Sequence, residues 1–562
     1  MLTSTICFDK KERAGPIHKM ASMAKYETRS PDNEKAKKYD RQLRLWGDHG
    51  QFLLENAHVC LINATAVGTE TLKGLVLPGV GNFTIIDGQS VSGEDVGKNF
   101  FLTKDCIGLN RGEAACKLLQ ELNPHVRGHV IDEDCESLLS TNPEEFSRFT
   151  VVVATGLSES TLVKLSRRLH EIGVPLLVCR AYGQIGYLRL QTPEHTIVEV
   201  RPDNDFDDLR ISAPFAGLRE YVDSVKLEQL DKAKHAHIPY IVILLKALDR
   251  WQEKNGTDQL PSARDKEFKE IVNSMRFKPK PDDDIPHVEP LNFDQALKSL
   301  GRALRPLQVP VEIKTLFKDP ACENLTPESS PFWIMVHALR EFVSSHGYLP
   351  LRGAIPDMVS DTDSYVELAN IYKREADAHV EEVWKMVGDL ITELGKPQNT
   401  ICEQDVRLLC KNAHTLAVIR TRPIFEELET PNAQYVSQKL QDTSLVEEPD
   451  IIYYILLRAV DRFYEEFRRY PGFFRDELET DIHKLKAIFS RLVQEWGVGP
   501  LSKDDLIHEM CRFGASELHT IASVMGGCAA QEVIKIITHQ YVPINNTYVF
   551  NGITCTSETY EL

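Results

Sequence analysis

Between residues 37 and 190 the sequence alternates short apolar runs with amphipathic helical stretches, and from about residue 505 the same alternation returns. That return constrains the fold more than any other feature, because the segment 505–562 is too short to bury a core alone. It must complete a sheet begun far upstream. "HVCLIN", "NFTIID", "FTVVVATG" and "VPLLVCR" read as strands. "AVGTETLKGLVLPG", "RGEAACKLLQEL" and "SESTLVKLSRRLHEIG" read as the helices between them. The strands are apolar throughout rather than alternating, which predicts a parallel sheet covered on both faces. "HTIASVMGGCAAQEVIKII" predicts an apolar helix whose Gly526, Gly527, Ala529 and Ala530 admit a second backbone, and "TYVFNG" a terminal strand and turn.

Residues 200–500 have a different texture. "IPYIVILLKALDRWQ" carries Tyr240, Leu244, Leu248 and Trp251 on one stripe, and a long helix runs from Tyr365 towards Gly395. "KPKPDDDIP" and "LVEEPD" read as loops. The division expected is a disordered tail over 1–36, the first part of an α/β domain over 37–200, a helical insertion over 201–504, and the last part of the α/β domain over 505–562.

A formal charge of −18 argues against nucleic acid or an anionic membrane as a general partner. The 12 cysteines include no C-x-x-C pair and no zinc spacing, so no metal site is expected, and their apolar settings suggest a reducing compartment. The most apolar run noted, "YIVILLKAL" from Tyr240, is too short to span a bilayer and is broken by Lys246. No membrane span and a cytoplasmic location, with the nucleus as a second site, are the expectations.

The stretch "VCLINATAVGTE", residues 59–70, has the frame of a nucleotide-binding βαβ unit but not its floor. A working site ends its first strand in G-x-G-x-x-G, so that backbone amides reach phosphate without Cβ crowding. Here only Gly68 stands, and Thr65 puts a branched side chain in the path of a phosphate. Asp87, ending the second strand, stands where an acid would meet a ribose, though it could equally brace a loop.

The segments "KYDRQLRLWG" (38–47), 59–88, "NFFLTKDCIGLNRGEAA" (99–115) and 519–538 resemble the activating enzymes of ubiquitin-like proteins, kin to the bacterial adenylyltransferases of thiamine and molybdopterin synthesis. The segment "PLRGAIPDMVSDTDSYVELANIYK" (350–373) narrows the resemblance to the non-catalytic branch that serves neddylation. Leu518 departs from the pattern, which has proline there. The resemblance implies a Rossmann-like adenylation fold of the ThiF type, with a parallel-rich sheet split by a large, mainly helical insertion, a degenerate copy of a catalytic-cysteine domain.

An active half would, by the same resemblance, carry glycines at Asn63 and Thr65, an acid at Gln89, Asn at Asp95, Arg-Gln at Lys98-Asn99, Lys at Arg111 and a metal-binding Asp near Ser158. Only Asp87, Gly68 and, by charge, Lys98 and Arg111 persist. Without the acids magnesium binds weakly, and without the glycines phosphate cannot settle on the helix N-terminus. The expectation is an inactive partner that binds no cofactor itself and supports a catalytic subunit that uses Mg-ATP. The further partners implied are a ubiquitin-like modifier, a conjugating enzyme and the tail of the amyloid precursor protein.

Arg41 is the residue the resemblance sends across the subunit interface to the partner's ATP phosphates, with Asp40 and Gln42 orienting it and Trp46 fixing its helix. A guanidinium suits that role, being always charged and able to grip two oxygens. Arg352, Pro356, Asp357, Met358, Asp361 and Tyr365 form the strip expected to touch the catalytic subunit, with Met358 and Tyr365 exposed; an ordered loop covering the core is the other reading. Asp361, Thr362 or Asp363 can cap the long helix. Cys322, Cys402 and Cys410 lie beside acids and read as structural rather than nucleophilic, and His235 and His237 as solvated or capping. Three alternatives remain open: an autonomous homodimeric adenylyltransferase, a pure adaptor scaffold with Arg41 inert, and a nicotinamide oxidoreductase, which the absent glycines oppose.

Overall fold

The computed structural model describes residues 37–202, 207–277, 291–441, 449–498, 501 and 503–562. The tail expected over 1–36, the loop "KPKPDDDIP" and most of "LVEEPD" lie outside the described residues. The chain divides into two compact units. One runs to Ile197 and resumes at Val418, and the other spans Val198–Ala417.

The first unit is built on an eight-stranded sheet. Its chain begins with α1 (Asp40–Asn56), β1 (His58–Ile62), α2 (Ala66–Val76), β2 (Asn82–Ile86), α3 (Arg111–Glu121), β3 (Arg127–Ile131), β4 (Val151–Ala154), α4 (Glu159–Glu171), β5 (Leu176–Tyr182) and β6 (Ile185–Gln191). Strands β3-β2-β1-β4-β5 lie side by side and parallel. Val59 and Leu61 join a core with α2, while Cys60 and Ile62 join a core with α4 on the opposite face. This two-sided burial is why β4 and the part of β1 after His58 are apolar at every position. Register sets Ile62 beside both Ile86 and Ala154, so the C-terminal ends of β1, β2 and β4 share one edge. Strand order reverses between β1 and β4, the place where such sheets open a crevice.

In the Val198–Ala417 unit, α5 (Tyr240–Asn255), α6 (Pro331–His346) and α7 (Thr362–Glu393) are the main helices, and Tyr240, Leu244, Leu248 and Trp251 are all buried, as their spacing predicts. Beyond Val418 come α8 (Ile451–Phe467), α9 (Leu478–Trp496), α10 (His519–Thr538), β7 (Thr547–Asn551) and β8 (Thr556–Tyr560). Antiparallel β7 pairs with β6 and with β8, so the C-terminal segment does complete the upstream sheet. Against the expected 201–504, residues from 418 to 504 belong to the α/β unit. The apolar faces of α8 and α9 share a core with Tyr182, Ile185, Val549 and Tyr560 of the sheet.

Strands β3, β6 and β8 were not foreseen. Their sequences "RGHVI", "IGYLRLQ" and "TSETY" carry polar or charged residues within the strand, so none reads as an apolar run. Among the described residues helix α10, not the run from Tyr240, is long and apolar enough to span a membrane by length and composition, but it is mostly buried and packs on α2. A Cβ on Gly526 would lie 2.6 Å from Glu70 Cβ, which explains the small residue there; Gly527 faces open space and needs no such account.

Candidate functional site

The turn after β1 shows what fills the floor of the nucleotide frame. Asn63 takes a left-handed backbone (φ 64°), and its side-chain amide donates to the carbonyl of Thr155 at 2.9 Å. Thr65 caps α2, accepting from the Gly68 amide at 3.3 Å, and its hydroxyl donates to Thr155 Oγ1 at 3.0 Å. The threonine thus spends its hydroxyl on the helix end that a phosphate would use. A Cβ at Gly68 would sit 2.9 Å from Leu61 Cδ1 and 3.0 Å from the Asn63 carbonyl, so this glycine is kept for the approach of α2 to β1. Gly68→Ala should cost about 1–3 kcal/mol, read as a lower urea midpoint at unchanged m-value.

The remaining amides at the head of α2 are taken by Glu517. Its carboxylate accepts from the Ala66 amide at 3.1 Å, with the Val67 amide at 3.5 Å, and Lys98 lies 3.9 Å away. The segment is carried there by the turn after Phe513. Gly514 and Ala515 are both left-handed, and the Gly183 amide donates to the Ser516 carbonyl at 2.7 Å. A carboxylate of the chain itself stands where the anionic ligand of such a fold would stand. Burial raises its pKa above the ordinary glutamate value, and Lys98 and the two amides only partly offset this. A raised folded-state pKa contributes stability that is present below the ordinary glutamate value and is lost as pH rises through the raised one. Glu517→Gln should remove that loss, seen as a flatter dependence of the urea midpoint on pH.

Asp87 is engaged as well. Its carboxylate accepts from Arg111 at 2.7 and 3.2 Å, from the Ala64 amide at 2.8 Å and from the Gln89 amide at 2.9 Å. It braces the turn, and no oxygen is left over for a ribose. Gln89 enters through its backbone alone. Burial works against the Arg111 charge, but Asp87 and Asp95 outweigh it and raise the pKa further. Asp95 caps its own short helix with Ser92, Asn99 holds the Ala64 carbonyl at 3.1 Å, and Lys98 pairs with Glu94 at 3.0 Å. Ser158 is the N-cap of α4. These residues do not fit Mg-ATP: the phosphate donors are bonded internally, and the metal acids of an active half are a glutamine and a capping serine.

Arg41 stands apart from this pocket. Tyr39, Trp46 and Gln51 hold its helix: Tyr39 and Trp46 are buried, and Trp46 Nε1 donates to Gln51 at 3.0 Å. Gln42 donates to the Pro78 carbonyl at 2.7 Å, so it fastens the helix rather than orienting Arg41 as expected. Asp40 lies 3.6 Å from Arg41 and 3.2 Å from Arg44. The Arg41 side chain is 86% exposed. The sequence "YDRQLRLW" thus splits into a fastened face and a projecting one.

The 352–365 strip lies in the helical unit. Met358 and Tyr365 are half-buried, not the exposed pair expected: Met358 packs on the core of its own unit, and Tyr365 donates to the Ile355 carbonyl at 3.4 Å. Arg352 donates to the Lys411 carbonyl, Gln295 to the Asp357 carbonyl, and Pro356 is half-buried, while Asp361 caps α7. Cys322 and Cys410 are buried, and burial pushes their thiols up to about 11 and about 12; Cys402 caps a helix. His235 is buried and stacked on Phe293, not solvated, and His237 bonds the Ala233 carbonyl. No cluster of metal ligands occurs among the described residues.

Two features were missed from sequence. Glu517 is the only acid in "GASELHT", directly before α10 and beside the aberrant Leu518, and that adjacency was the available signal. The other is exposed apolar surface on the α/β unit: Leu45, Leu77, Phe100, Ile107, Leu109 and Leu518 are 42–70% exposed. Phe100 packs 6.5 Å from the His519 ring, beside Leu518.

The ThiF family model matches residues 39–562. The chain is 46% identical over 537 residues to the NEDD8-activating enzyme E1 regulatory subunit of Danio rerio, covering 95% of this chain and 99% of that protein. The chain belongs to the NEDD8-activating enzyme E1 regulatory subunits of the ThiF family. Family members of the same name include one from Drosophila melanogaster, 43% identical over 95% of this chain and 99% of its own length. Another, from Saccharomyces cerevisiae, is 26% identical over 93% of this chain and 100% of its own length. The regulatory-subunit family thus matches across both compact units, including the helical one.

Proposed function

We propose that this chain is the non-catalytic subunit of a heterodimeric NEDD8-activating enzyme, binding no nucleotide itself and completing the ATP site of a catalytic partner. The observation that carries the reading is Glu517 seated on the head of α2, with Asp87 fully engaged by Arg111. The same two contacts oppose an autonomous adenylyltransferase. Mg-ATP is held by the partner, whose phosphates receive Arg41. The exposed Phe100, Ile107 and Leu109 support a surface covered by the catalytic subunit. The strip from Arg352 to Tyr365 contributes to that contact through Asp357 and Asp361, which remain exposed. The helical unit meets the modifier and the conjugating enzyme, the amyloid precursor tail is a further partner, and the complex works in the cytoplasm and nucleus.

Titration calorimetry of the lone chain with Mg-ATP should give no saturable heat, and the chain should exchange no pyrophosphate until the catalytic subunit is added. Saturable binding or exchange by the chain alone overturns the reading.

A further inference from the structure

A second candidate site lies beside Gly156, where several charged side chains reach a mainly apolar cavity. It is a cavity of about 60 Å³ at the C-terminal ends of β4 and β5, under α8, and among the residues lining it are Gly156, Glu159, Arg180, Arg458, Asp461 and Tyr470. All of them belong to the α/β unit. That volume is several times what one water needs and accommodates an ion with four oxygens.

Each arginine of the wall faces one carboxylate, but the hydrogen bonds are incompletely matched. Arg458 is 4% exposed at the side chain; its Nη2 donates to Glu159 at 3.3 Å and to the Leu428 carbonyl at 3.2 Å, but its Nε and Nη1 are buried without an acceptor. Arg180 gives Nη1 to Asp461 at 2.6 Å and lies over the rings of Tyr182 and Tyr470, while its Nη2 is buried without an acceptor. The third arginine of the wall, Arg189, is satisfied by Glu427 and two backbone carbonyls. Three guanidinium nitrogens therefore lack acceptors, against one carboxylate oxygen, Glu159 Oε2, that lacks a donor. Buried charged donors left unmet are costly and mark an absent acceptor.

We propose that this cavity binds a small inorganic oxyanion of phosphate size, held by Arg180 and Arg458. A cation is repelled by the two arginines. Planar guanidinium forks match the oxygens of such an anion. Burial pushes the Glu159 pKa up, more than the neighbouring Arg458 lowers it, which lessens the repulsion between this carboxyl and an anion. Asp461 remains turned to Arg180.

The test uses the full chain and inorganic phosphate. At matched ionic strength phosphate should raise the melting temperature saturably where chloride does not, and Arg458→Lys, which keeps the charge beside Glu159 but deletes the unmet N–H groups, should weaken the apparent affinity about tenfold or more. Glu159→Gln, which removes the competing carboxylate, should strengthen it; this arm stands even if the lysine variant does not fold. Crystals soaked in selenate should show an anomalous peak between Arg180 and Arg458. Equal responses to phosphate and chloride, an unchanged affinity in Arg458→Lys, or a selenate-soaked cavity holding only water overturns the proposal.

Discussion

Arg41→Ala should slow formation of the modifier adenylate by the assembled heterodimer about a hundred-fold or more, the lower range for removing one positioned donor from a developing charge. Assembly and stability should hardly change. The side chain is 86% exposed and, among the described residues, pairs with Asp40 at 3.6 Å, a surface pair worth about 0–1 kcal/mol. The helix that carries it is held by Trp46, Gln42 and Gln51 instead. Arg41→Lys should recover only part of the rate, because an ammonium cannot grip two oxygens at once. Single-turnover adenylation with purified subunits measures the loss, and gel filtration reports assembly. An unchanged rate in the alanine variant would leave the adaptor-scaffold reading standing.

Glu427→Ala should destabilise the α/β unit by about 3–5 kcal/mol, the cost of leaving one partner of a buried ion pair alone. Glu427 and Arg189 are 2% and 1% exposed at their side chains, with Nε 2.5 Å from Oε2, and Tyr454 donates to the other carboxylate oxygen at 2.9 Å. The pair ties β6 to the segment after Val418, and so joins two parts of the unit that lie far apart in sequence. Replacing both residues together, Arg189→Met with Glu427→Leu, should restore most of the loss, because it removes the stranded charge as well as the attraction. Urea unfolding of these two variants against the native chain separates these terms.

The parallel strands β1, β2, β4 and β5 and the helices between them were legible because two-sided burial writes itself as apolar runs, as in "HVCLI" and "VVVA". β6 was not, since its Arg189 is buried by pairing with a residue 238 positions away, which local pattern cannot reveal. The insertion boundary failed for a related reason. Amphipathic α8 and α9 look like those of the helical unit, and only three-dimensional packing assigns them to the sheet. Within the nucleotide frame, the loss of glycines and acids could be read position by position. That Glu517 takes the vacated amides could not, because the contact joins residues 451 apart.

The closing hairpin also bears on how the polypeptide is made. Strand β6 finds its neighbour β7 only when residues 547–551 have left the ribosome, more than 350 residues after β6 itself. Throughout that interval of synthesis β6 offers an unpaired edge, the kind of surface on which nascent chains associate wrongly. Truncation of the final hairpin should therefore yield insoluble product rather than a smaller soluble fragment.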